Sequence, residues 1–135
     1  DGGAHCGTIC DAASPTFLLT HWVKGRARGR IPLELAIRRQ CRDTALLYGL
    51  ADRGLLAPGY LADVNVIDLD RLKLGKPWLA FDLPAGGKRL LQKAEGYTAT
   101  IKSGAVTFRD GAVQAVRPGR VVRGPQAEPL LMAAE

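Results

Sequence analysis

The first three residues of the chain have types and an order that could support catalysis. Asp1 precedes Gly2 and Gly3, an order typical of a strand end that turns into a loop where a ligand can approach the backbone. In barrel enzymes an acidic residue at such a strand end is a catalytic position. An ordinary turn aspartate is the alternative explanation of this short pattern.

Several residues near the start of the chain carry atoms that bind metal ions: His5, Cys6, Cys10, Asp11 and His21. Cys6 and Cys10 stand four positions apart, and no matched second pair follows them downstream, so the spacing does not favour a self-contained zinc site. We expect His5 to form hydrogen bonds within the loop. No phosphate-binding glycine loop, nucleophile elbow or dinucleotide fingerprint is present.

Length and composition indicate one ordinary globular domain. The chain has 135 residues, 47% of them apolar and 24% charged, and a net charge of +6. The basic residues are scattered, with few aromatic residues between them, which favours a solvated surface over a nucleic-acid groove. No apolar run is long enough for a membrane helix. Three cysteines form no disulfide framework and predict a reducing, cytoplasmic compartment.

The first half of the chain is predicted to be loop and helix. Residues 1–14 form a loop, and Ser14 is predicted to cap a short helix that ends at Gly25. The longest helix is predicted over residues 31–49, with Pro32 at its start. Its apolar face includes Cys41, which we expect in the core.

The second half is predicted to consist of short strands. One strand covers residues 64–67, and residues 71–87 are predicted to be loop. The segments YTATIKSG, AVTFRDG and AVQAV predict consecutive strands, with hairpin turns at Ser103-Gly104 and Asp110-Gly111. Residues 124–135 are predicted to be a flexible tail.

The stretch DRGLLAPGYLADVNVIDLD resembles the segment that ends the metal-dependent amidohydrolases. The matching features are a Gly-Leu pair, a Pro-Gly turn, an Ala-Asp pair and a β-branched strand that closes on Asp: Gly54-Leu55, Pro58-Gly59, Ala62-Asp63, 64–67 and Asp68. We expect Asp63 to cap its turn through its own backbone. The preceding helix, the strands from GYTATIKSG onward and the loop DGGAHCG resemble other parts of the same superfamily. Within it, the sequence is most similar to the N-acyl-D-amino-acid deacylases, or D-aminoacylases.

This resemblance implies an α/β fold with additional β structure. Residues 1–52 would be the C-terminal end of a (β/α)8 barrel, with its last strand end and helices, and residues 53–123 would be strands of a small β-sandwich domain. A complete barrel needs about 250 residues. The chain is therefore expected to be a C-terminal fragment, inactive by itself, that pairs with a missing N-terminal barrel or a second chain, or self-associates.

The resemblance also implies a reaction and a set of site residues. Asp1 corresponds to the superfamily's general base, which transfers a proton from a metal-activated water to the leaving nitrogen of a linear amide. It is also a candidate ligand of a second metal, with zinc or another divalent ion as the cofactor. The main metal ligands of the superfamily have no counterpart in this chain. The candidate substrate-binding residues are Gly2, Gly3, His5, Arg26 and Arg28.

One departure from the D-aminoacylase pattern leaves the substrate open. Those enzymes place an arginine in the loop after the aspartate to hold the substrate carboxylate, but DGGAHCGTICDAASP contains none. Arg26, Arg28 or Arg30 could replace it. The alternatives are another amidohydrolase such as a cyclic amidase, a stand-alone interaction domain without catalysis, and a nucleic-acid-binding module supported only by the net charge.

Overall fold

The computed structural model describes residue 3 and residues 5–129. The chain divides into two compact units, Asp1–Ile31 with Asp68–Gly96 and Pro32–Ile67 with Tyr97–Glu135. Its α-helices are Ser14–Phe17 (α1), Leu33–Arg38 (α2) and Thr44–Leu47 (α3). Its strands are Val64–Ile67 (β1), Lys73–Leu74 (β2), Trp78–Ala80 (β3), Arg89–Leu91 (β4), Ala94–Glu95 (β5), Tyr97–Lys102 (β6), Ala105–Arg109 (β7) and Ala112–Val113 (β8). The predicted boundary at residues 52/53 stays a prediction.

The first unit begins with one helical stretch that changes its winding. A 3-10 turn, Asp11–Ala13, leads into α1, which continues as a π-helix, Leu18–Gly25. The predicted capping role of Ser14 is wrong, because the helical winding already starts at Asp11. The Ser14 hydroxyl instead donates to the Asp11 carbonyl at 2.6 Å. The predicted end at Gly25 is confirmed.

Two small antiparallel sheets complete the first unit. β2 pairs with β5, and β3 pairs with β4. A 3-10 turn, Pro84–Gly86, lies between β3 and β4. The prediction that residues 71–87 form a loop is therefore wrong in part. These strands have only two or three residues, too few to show an apolar alternation along the sequence.

The second unit contains the longest helical stretch, in which α2 is followed by a π-helix, Arg39–Asp43, and by α3. Pro32 occupies the N-cap position, and Gly49 follows the helix with a φ of 68°. Both agree with the predicted ends. Ala36 and Ala45 are buried. Cys41 is exposed, so its predicted place in the core is wrong: the buried face runs along the two alanines.

The main sheet of the second unit is antiparallel, with the strand order β1-β6-β7-β8. Its two hairpins turn at Ser103-Gly104 and at Asp110-Gly111, where all four residues have positive φ. This conformation is typical of type I′ turns and confirms both predicted hairpins. The third strand is shorter than AVQAV predicted.

The larger architecture of the chain stays a prediction. The described strands form three antiparallel sheets, and the barrel end with an attached sandwich remains an expectation from resemblance. Among the described residues, no helix has the length and apolar character needed to span a bilayer. Near the end of the described chain, Gln126 forms a bridge to Leu50, and the predicted flexibility of residues 124–135 remains a prediction.

Candidate functional site

Backbone hydrogen bonds hold the N-terminal loop in place within the first unit. The Cys6 amide donates to the Gly3 carbonyl at 3.2 Å, which closes a tight turn. The Cys6 carbonyl accepts from the Leu90 amide of β4 at 2.9 Å. The loop that follows Gly3 is therefore positioned by a strand that lies more than eighty residues away along the chain.

A cavity of about 470 Å³ lies beside this loop, in the size range of small-molecule sites. Its lining is mostly apolar and comes from the loop, the start of the first helical stretch, and the strands β2, β4 and β5: Gly3, Ile9, Cys10, Ala12, Ala13, Thr16, Leu74, Leu90, Leu91, Gln92 and Ala94. Such a lining suits an apolar group of a ligand better than a charged one.

Two polar side chains meet at the cavity. The Cys10 Sγ atom lies 3.9 Å from Oε1 of Gln92, and the Gln92 amide nitrogen donates to the Gly75 carbonyl at 2.9 Å. The second contact fixes the orientation of the amide, so that its oxygen faces the thiol. Sequence reasoning missed Gln92, whose only local signal is a polar residue directly after the apolar pair Leu90-Leu91.

The loop also alters the chemistry of Cys6. Hydrogen bonds from the backbone amides of Thr8 and Ile9 lower the pKa of its thiol, and they outweigh the opposite effect of burial. The thiolate is the nucleophilic form of cysteine. The lowered pKa favours the thiolate form of Cys6.

The predicted site residues of the N-terminal loop differ in their position relative to the cavity. Asp1 and Gly2 lie outside the described residues. Gly3 lines the cavity, whereas His5 is exposed in the adjacent turn and does not belong to the described lining.

The two predicted arginines stand in the loop after the first helical stretch. The Arg26 guanidinium stacks over the Trp22 ring, 4.3 Å from its centroid, and Arg28 is exposed. Neither belongs to the described cavity lining. Their role as substrate ligands stays a prediction.

The described residues do not form a metal site. Across residue 3 and residues 5–129, no three His, Cys, Asp or Glu side chains are grouped closely enough to hold a metal ion. The donor set that zinc requires is thus not supplied by this part of the chain. The predicted role of Asp1 as a second-site ligand falls outside it.

The residues that carry the family resemblance have structural roles in the second unit. A Cβ atom built on Gly54 would lie 2.7 Å from the Cys41 carbonyl oxygen, so the chain passes directly against the helix there. Asp63 accepts hydrogen bonds from the Ser103 amide at 2.9 Å and from Lys102 Nζ at 2.9 and 3.0 Å. The prediction that Asp63 caps its own turn is wrong: it fastens the β6–β7 hairpin turn, forty positions away.

The chain is similar to a known protein family. A family model described as "Amidohydrolase family" matches residues 1–108. No curated protein and no solved structure matches the chain.

Proposed function

This chain belongs to the amidohydrolase family, and we propose that it takes part in the hydrolysis of a linear amide with Asp1 as the proton-transfer group. The observation that carries the proposal is the family match from residue 1, which includes the loop that begins with Asp1-Gly2-Gly3. The family is generally metal-dependent. Because the described residues offer no metal site, the proposed metal ligands belong to other residues, on this chain or on a partner.

The role of Asp1 follows from ordinary carboxylate chemistry. An unperturbed Asp carboxyl is ionised near neutral pH and can accept a proton from the attacking water. Asp1 takes one proton from the water as the water oxygen bonds to the amide carbon. It passes that proton to the nitrogen as the C–N bond breaks, which gives a carboxylic acid and an amine. The acid then ionises to a carboxylate near neutral pH.

The cavity beside Gly3 supports a substrate with an apolar group, such as an acyl chain or an apolar amino-acid side chain. Gly3 keeps the loop free of a side chain at this point, so a ligand can lie against the backbone. In this proposal the substrate is an N-acyl-D-amino acid, and Gly2, Gly3 and His5 are its proposed binding residues.

Arg26 and Arg28 are the proposed partners of the substrate carboxylate. A guanidinium that stacks on an indole ring, as Arg26 does on Trp22, keeps its N–H edge available for a bidentate contact with a carboxylate. This arrangement supports Arg26 as the replacement for the arginine that the loop lacks.

The test uses the complete natural polypeptide that contains these residues, loaded with zinc. Amine release is measured with N-acetyl-D-leucine, N-acetyl-L-leucine and a cyclic amide. We expect hydrolysis of the D-substrate, and a decrease in kcat of about 10² to 10⁴ for Asp1→Asn, the range of general acid–base catalysis. Asp11→Asn, which removes another carboxylate from the same region, is the matched control and keeps its activity.

The outcomes separate the elements of the proposal. An active Asp1→Asn enzyme refutes the role of Asp1, even if the amide is hydrolysed. Hydrolysis of the cyclic amide alone identifies a cyclic amidase and refutes the substrate class. Lack of activity towards all three substrates refutes the proposed function.

A further inference from the structure

A second cavity, of about 680 Å³, lies entirely within the second unit and has a strongly cationic lining. Five basic side chains contribute to it: Arg53, Lys102, Arg117, Arg120 and Arg123. Asp52 is the carboxylate among its described lining residues. The volume lies in the range of small-molecule sites, and the excess positive charge selects for anions.

Two of these cations are already held by carboxylates. Arg53 donates to both oxygens of Asp52, at 2.8 and 3.1 Å, and Lys102 donates to both oxygens of Asp63. The hydrogen bond from Arg53 lowers the pKa of Asp52. Burial acts to raise the pKa of Asp63, but the bonds from Lys102 and Ser103 outweigh it and lower that pKa. Both pairs therefore remain ionised at neutral pH, and within each pair the two charges nearly cancel.

The other three cations are not compensated in this way. Within the described residues, no carboxylate forms an ion pair with Arg117, Arg120 or Arg123. Nη1 of Arg117 donates to the carbonyls of Gln114 at 2.6 Å and Val116 at 2.8 Å, which fixes its guanidinium. The cavity thus has an excess of three positive charges.

The segment that carries Arg117, Arg120 and Arg123 is followed by Gln126, which is hydrogen-bonded to another part of the second unit. The Gln126 amide donates to the Gly49 carbonyl at 2.7 Å, and the Gln126 carbonyl accepts from the Ala51 amide at 3.2 Å. These bonds tie the chain to the residues that follow the helical stretch. The arginine segment therefore spans two fixed points, the β8 strand and Gln126, rather than ending freely in solvent.

We propose that this cavity binds a small molecule that carries two phosphate groups. Each phosphate group of a phosphorylated molecule carries roughly −1.5 to −2 charge near neutral pH, so two of them balance the three uncompensated guanidinium groups. The planar fork of Arg matches phosphate oxygens in bidentate contacts. This binding site is independent of the proposed amide hydrolysis, because none of its residues contributes to the cavity beside Gly3.

The test is isothermal titration calorimetry of the 135-residue chain with pyrophosphate at low ionic strength, with inorganic phosphate and citrate as comparisons. We expect one pyrophosphate per chain and weaker binding of inorganic phosphate. Arg120→Gln and Arg123→Gln are each expected to weaken pyrophosphate about tenfold, the effect of losing a charge-assisted hydrogen bond. The matched control, Arg109→Gln, removes the same charge from β7 outside the cavity lining and changes the affinity by less than about twofold.

Three results would overturn the proposal. One is the absence of saturable pyrophosphate binding by a chain that is folded by circular dichroism. Another is an equal loss of affinity in Arg109→Gln, which would show diffuse charge attraction rather than a site. The third is duplex DNA that binds more tightly than pyrophosphate and is not displaced by it, which would identify a nucleic-acid surface. Arg120→Lys keeps the charge without the fork, and we expect it to restore only part of the affinity.

Discussion

Gly54 offers the sharpest test of how the family motif stabilises the second unit. Its φ is 80°, a left-handed conformation that costs an L-residue about 1–2 kcal/mol. A Cβ at this position would also lie 2.7 Å from the Cys41 carbonyl oxygen and 2.9 Å from the Ala45 Cβ. The first contact is with helix backbone, which cannot rotate away as a flexible side chain can. Overpacking of this kind costs about 1–3 kcal/mol.

Gly104 is the matched control, because its φ is also 80° while a Cβ built on it meets no atom within 4 Å. Gly104→Ala therefore measures the conformational cost alone, about 1–2 kcal/mol. We expect Gly54→Ala to lower the free energy of unfolding by about 2–5 kcal/mol, the sum of the conformational and steric costs. The difference between the two variants isolates the steric contribution.

The assay is urea unfolding of the wild-type chain and both variants, followed by far-UV circular dichroism and analysed at a common slope. Equal losses in Gly54→Ala and Gly104→Ala would refute the close approach of Gly54 to the helix. A second variant probes the same contact: Ala45→Gly in the Gly54→Ala background removes one of the close contacts. We expect the pair to be less unstable than the sum of the single losses.

Two further predictions concern titratable groups. Asp63 has a lowered pKa, so its stabilising contribution is present above the ordinary value of 3.8 and is lost as the pH falls through the lower folded-state pKa. We expect Asp63→Asn to lower the free energy of unfolding by about 1–2 kcal/mol at neutral pH and by almost nothing in acid. Asp110→Asn is the control, and we expect it to have little effect at either pH. A loss in Asp63→Asn that stays constant across pH would contradict this prediction. Backbone hydrogen bonds lower the pKa of the Cys6 thiol, whereas desolvation raises the pKa of the Cys41 thiol. We therefore expect iodoacetamide to alkylate Cys6 before Cys41 near neutral pH. Peptide mass spectrometry measures the two rates, and faster labelling of Cys41 would contradict the prediction.

The parts of the fold that could be predicted from the sequence are those with a local signal. Gly49 marks the end of a helix because a left-handed residue closes the last turn. Asp110-Gly111 marks a hairpin because both residues adopt positive φ. In each case the residues that determine the structure are neighbours along the chain.

The parts that were missed depend on contacts over long separations. β3 and β4 pair Trp78 with Leu91. The turn residues between them, Pro84 and Gly86-Gly87, indicate a loop, but strands of three residues give no sequence pattern that predicts their pairing. Nothing near Asp63 in the sequence indicates that its carboxylate accepts a hydrogen bond from the Ser103 amide, so the sequence predicts only a local turn. The cavity beside Gly3 was missed for the same reason, since Leu90 and Gln92 reach it from the far end of the first unit.

The roles of the motif residues limit what the family resemblance implies about chemistry. Gly54 and Asp63 belong to the stretch that most resembles the amidohydrolases, yet their contacts in the structure are with a helix and a hairpin turn. Such residues are constrained by the packing of the fold, and they are compatible with many substrates on the same fold. In the proposed function, the part of this chain that contacts the substrate is the N-terminal loop with the residues around its cavity. Changes at Gly54 should alter the free energy of unfolding, whereas changes at Asp1 should alter kcat in a protein of unchanged stability.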